Sequence, residues 1–182
     1  MNLSENATSE WNNAYFKWLW DEADEETGLW RKDCIKDSTQ KMYHHMASTF
    51  HYLFNHEYMH KPLRYPDKLI DSCLKMYYEN DIDLGDRFFD VVSFIQVDFV
   101  YCLSRAMRQT AHRFDECKKV LKDFADRFIP NMMKREENDD ELNDLHQLFG
   151  MLCCFAELQQ VLPGYIVSVK ALFLVLDRRP FI

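Results

Sequence analysis

Glycine and proline are scarce in this sequence. Four glycines and five prolines in 182 residues are about half of ordinary usage. Strands joined by tight turns consume both residue types, so a β-sandwich or barrel is disfavoured, as are collagen-like and linker-like chains. A basic stripe is also lacking. Against 22 Lys+Arg stand 30 Asp+Glu, a net charge of −8, whereas binding to a phosphate backbone needs a basic face; no nucleic acid is expected as a partner. No apolar run reaches the ~20 uncharged residues that span a bilayer. Met1-Asn2-Leu3-Ser4-Glu5 has neither the basic nor the apolar part of a signal peptide. The expectation is an intracellular protein of the cytoplasm or nucleus, with no membrane span. No Cys-x-x-Cys pair occurs, so a structural zinc knuckle has no footing. In a reducing compartment the six cysteines read as small buried hydrophobes.

What the sequence does have is apolar side chains at helical spacing: 47% of residues are hydrophobic and 15% aromatic. Taking 100° per residue, seven helices are predicted, over about Ser9–Ala23, Cys34–Lys61, Pro66–Glu79, Asp86–Thr110, Phe114–Met133, Asp140–Val161 and Tyr165–Leu176. The segment over about 86–110 is apolar nearly all round, with Asp90 and Asp98 as a narrow polar edge, which places it at the centre of a bundle. The fold class is therefore all-α: about seven helices packed as a single globular bundle around that central hydrophobic helix. One domain is expected over 1–182, with residues 1–8 flexible. Gly28, Pro62, Pro66, Gly85 and Pro163-Gly164 fall where the hydrophobic period breaks and punctuate the helices. Gly150 does not, and its place inside an apolar stripe predicts a close helix crossing.

Three groups of residues are candidates for function. The first helix has two apolar faces, Trp11, Tyr15, Trp18 and Leu19 on one side, Phe16 and Trp20 on the other. Exposed aromatics are typical interface anchors, which makes Phe16 and Trp20 candidate partner-binding residues. Asp81 and Asp83 open like a calcium loop, but Gly85 comes one place early and the twelfth-position Glu is absent. The acidic stretch Glu136 to Asp144 fits a solvated helix cap.

The third group is His56-Glu57-Tyr58-Met59-His60, which matches H-E-x-x-H, a spacing in which two imidazoles one helical turn apart hold zinc and the Glu activates its water. On a helix running to Lys61 all three would point inward. A catalytic zinc also wants a third ligand, for which Glu79 is the candidate, with Asp81 and Asp83 beyond it. The plainer alternative makes the histidines buried, hydrogen-bonded groups at a helix end, with Glu57 paired to a cation such as Lys61 or Arg64.

No nucleophile and base pair, cofactor loop or basic face accompanies the motif. The function expected is a non-enzymatic protein–protein interaction module, an adaptor or regulatory protein without a cofactor. Its partner would be another protein, held as a helix or peptide in a hydrophobic groove. The alternative is a zinc-dependent metallohydrolase using His56, Glu57 and His60.

Overall fold

In the computed structural model, which describes residues 8–36, 38–79, 85–170 and 172–175, six α-helices form a bundle with the fourth at its centre. They are α1 (Ser9–Glu22), α2 (Met42–Tyr58), α3 (Pro66–Glu79), α4 (Ile95–Met107), α5 (Phe114–Met132) and α6 (Leu145–Val161), with 3₁₀ turns at Gly85–Phe89 and Asp140–Asn143. The architecture is an all-α bundle. Every residue of α4 is buried, and α2, α3 and α6 pack against it, as an all-round apolar helix requires. α5 closes the bundle through Phe124, whose ring contacts Phe88, Phe89, Phe99 and Phe128.

Among the described residues six α-helices stand where seven are predicted, and α2, α4 and α6 are each several residues shorter than expected. The described residues of Tyr165–Leu176 are not helical. These described residues are irregular, with Val167 and Val169 open to solvent at 89% and 105%. The described residues between 34 and 41 precede α2 as turn, bend and irregular chain. The central helix begins at Ile95 rather than near 86, because side chains satisfy the backbone before it. Gln96 donates to the carbonyls of Phe88 and Val91, while Glu141 and Gln147 accept from the amides of Val92 and Phe94. A segment supplied with partners in this way has no need of helical hydrogen bonds.

α1 and α6 each bury one particular face. α1, capped by Thr8 at the Trp11 amide, buries Phe16 and Leu19. Below it, the buried Asp24 carboxylate pins the turn that follows by accepting from the amides of Thr27 and Asp33 and the Thr27 hydroxyl. Trp30 returns to donate its indole N–H to the Leu19 carbonyl at 2.7 Å.

α6 starts at Leu145, capped by Asp144, while Asp139 caps the preceding 3₁₀ turn; part of the acidic stretch thus does serve as caps. Gly150, Cys153, Cys154 and Ala156 face inward with Met151, Glu157 and Leu158, whereas Leu145 and Leu152 point outward at 79% and 42% exposure. The small side chains explain the choice of face, since a Cβ on Gly150 would lie 2.8 Å from the Phe94 Cα. α6 crosses the start of α4 almost backbone to backbone, the close approach that Gly150 predicts.

Candidate functional site

The H-E-x-x-H residues do not share one helix. α2 ends at Tyr58, and His60 takes the left-handed conformation at φ +52°. The Lys61 amide bonds back to the His56 carbonyl at 2.8 Å and the His60 amide to the Glu57 carbonyl at 3.2 Å. This is a Schellman ending, closed off by Pro62. His60 therefore leaves the helical face it was predicted to share with His56, and it is exposed. Glu79 is the last residue of α3, thirteen positions past Pro66 and thus about 20 Å along the helix axis from that helix's start. It is exposed as well. Asp81 and Asp83 lie outside the described residues. Among the described residues no group of three or more His, Cys, Asp or Glu side chains is arranged to hold a metal ion.

His56 is 3% exposed, wedged between the rings of Phe16 and Trp30 at 5.6 and 5.5 Å. Neither ring nitrogen makes a hydrogen bond of good geometry, although the backbone at Lys61 and Pro62 lies near enough to favour its charged form. Burial lowers its pKa, opposed only in part by the backbone at Lys61 and Pro62, so the ring is held neutral.

Glu57 is engaged from three sides. Its carboxylate receives the Tyr101 hydroxyl at 2.6 Å, the Arg105 Nε, and an Arg108 N–H at 2.9 Å. Behind it, the same Arg105 guanidinium meets Glu157 on α6 at 2.7 Å, stacks over the Tyr101 ring at 4.1 Å and donates to Ser104. Glu157 in turn accepts from the Val175 amide at 3.2 Å. Burial pushes the Glu57 pKa up, but Arg105, Tyr101 and Arg108 together bring it below the usual value. A carboxylate stabilised as an anion in this way is a poor general base, which works best with a pKa near the operating pH. The cation that Glu57 pairs with is neither Lys61 nor Arg64 but Arg105, with Arg108 beside it.

Arg105 and Glu157 are the residues that the one-dimensional reading missed. Arg105 is the single base of α4, whose only other charged residue is Asp98, and Glu157 is the single acid of α6. Burying either one unpaired would be costly, so the opposite signs were the available signal that the two helices meet there.

The two candidate anchors part company. Phe16 is buried at 8%, which removes it from any outer surface, whereas Trp20 is 42% exposed. The Arg64 guanidinium lies over the Trp20 indole at 5.8 Å and donates to its carbonyl. The remaining outer face of α1 carries Trp11, Tyr15 and Trp18, stacked in sequence at 5.0 and 6.4 Å.

A cavity of about 700 Å³ lies between α5 and the chain after α6, with Phe155 of α6 at its base, and is walled by Ile129, Met133, Tyr165, Val167 and Val169 among others. No family model, curated protein or solved structure matches the chain. Among the described residues no helix is long and apolar enough to cross a membrane.

Proposed function

We propose that this chain is a non-enzymatic interaction module, an adaptor or regulatory protein that receives an amphipathic helix of another protein in the groove between α5, α6 and the segment that follows. The observation that carries the reading is the groove itself. Met133, Val167 and Val169 line it at 75%, 89% and 105% exposure, and exposed apolar side chains gathered at one groove mark an interaction surface where singly scattered ones do not. A groove walled by α5 on one side and the chain after α6 on the other suits an added helix, which would insert side chains at i, i+3 or i+4, and i+7. Methionine and valine on the rim give an adaptable apolar lining, and the net charge of −8 favours a partner helix with a basic polar face.

The test is selection of helical peptides against the purified protein. Supporting peptides share that apolar spacing and lose at least tenfold in affinity against both Met133→Glu and Val167→Asp, while Trp20→Ala leaves them unchanged. Peptides indifferent to both groove substitutions, or no binders at all, would overturn the reading.

A further inference from the structure

We infer that the cleft at the end of α2 is a binding site for a small oxyanion, the phosphate or carboxylate group of a low-molecular-weight ligand. The cleft measures about 340 Å³ and its wall includes His56, Glu57, Lys61, Arg105, Arg108 and Gln109, a size within the ~300–1,000 Å³ of small-molecule sites. Three cations line the cleft with one carboxylate, Glu57, while Glu157 pairs with Arg105 from behind, and this in a chain where acids outnumber bases by 30 to 22. By contrast, the cleft beside the α1–α2 connection is walled by Asp24, Glu26, Asp33 and Asp71 with two lysines.

The cations are not there to finish the helix. The last carbonyls of α2 at His56 and Glu57 are already taken by the amides of Lys61 and His60, so the Lys61 ammonium is free of that duty. Arg108, 44% exposed, reaches over Glu57 and Gln160 from the end of α4. Gln109 gives its side-chain oxygen to the Leu63 amide at 2.7 Å, which turns its NH₂ donors to other use. Around one small space there are therefore guanidinium, ammonium and amide donors, a set suited to oxygen anions.

A second and independent observation is His56. It is 97% buried, it forms part of the wall, and neither ring nitrogen makes a well-formed hydrogen bond, although the backbone at Lys61 and Pro62 lies near it. A neutral imidazole carries one N–H, and a buried donor without an acceptor is costly. An oxygen of the bound anion, or of a water that the anion holds, supplies that acceptor.

The experiment is isothermal titration of the full chain with inorganic phosphate and, separately, with succinate, at constant ionic strength made up with chloride. One-site saturable binding is expected from one of the two, and which one assigns the ligand class. Arg108→Gln and the exposed Lys61→Met should each weaken it at least tenfold. His56→Leu, of similar volume, should weaken it too, while its melting temperature in anion-free buffer stays level or rises. If neither anion saturates above chloride, or if Arg108→Gln and Lys61→Met both bind as the unaltered protein does, the site is refuted.

Discussion

Arg105 on α4 and Glu157 on α6 form an ion pair at 2.7 Å with 5% and 0% of their side chains exposed. Burial of this kind is costly for either charge alone and tolerable for the pair. Arg105→Met should therefore cost about 3–5 kcal/mol, because it strands Glu157. The double change Arg105→Met with Glu157→Leu should recover most of that loss. Urea unfolding of the three proteins measures both quantities; a double variant no more stable than the single one would show that the pair is not the reason for the loss.

Gly150 sits where α6 meets the start of α4, with the Phe94 backbone 2.8 Å from any added Cβ. Neither backbone can yield without disturbing the bundle, so Gly150→Ala should destabilise by about 1–3 kcal/mol, the range for overpacking. This reverses the usual gain of a Gly→Ala change within a helix. A denaturation midpoint equal to or above that of the unaltered protein would disprove the close crossing.

Asp98 lies on α4, 2% exposed, next to Cys102 and Cys154, and burial alone raises its pKa well above the ordinary carboxylate value. A raised folded pKa means that the native state holds the proton to higher pH than the unfolded chain does. The protein thus loses stability from this group as pH climbs from about 4 toward the folded pKa. Asp98→Asn should remove that slope and be more stable than the parent at pH 7 by more than at pH 4. His56 acts in the opposite direction. Its pKa is lowered by burial, so the unfolded chain takes up the proton first and stability is lost as pH falls below about 6.5; His56→Leu should flatten that limb. Paired urea titrations across pH 4–8 separate the two groups.

All six cysteines are free and buried. Burial, helped by Asp24, pushes the Cys34 thiol up to about 11, and burial pushes the Cys117 thiol up to about 11 as well. Thiolate is the reactive form, so the native protein should react with a thiol reagent at pH 8 far more slowly than the denatured chain, in which all six are available. Fast labelling of even one cysteine in the native state would contradict the packing.

The geometry at the end of α2 also bears on metal. Chelator treatment followed by dialysis should leave the melting temperature unchanged, and elemental analysis should find less than stoichiometric zinc. Stoichiometric zinc that disappears on His56→Ala or His60→Ala would restore the metallohydrolase alternative.

Local signals and long-range partnerships were unequally legible in the sequence. α3 spans Pro66–Glu79 as predicted, because Pro66 is pre-set for a first turn and its apolar stripe is narrow. α5 is one residue shorter than predicted. Where a helix carries apolar residues on two sides, periodicity does not say which side goes in. In α1 the bulky Trp11 and Trp18 stay out while Phe16 goes in, and in α6 the small side chains win because they let α4 come close. The end of α2 was half legible. Pro62 marked a stop, but the left-handed turn at His60 depends on backbone closure that residue spacing does not encode. The Glu57–Arg105–Glu157 cluster joins three helices, and nothing along the chain states which charge meets which.

The complete burial of α4 has a consequence for synthesis on the ribosome. Two of its neighbours, α2 and α3, are made before it and the third, α6, ends only at Val161. Until α6 has emerged, α4 has an apolar side facing water and Arg105 lacks Glu157. A nascent chain stopped after α5 would therefore be a sticky intermediate and a substrate for chaperones, and α6 is the element that releases it.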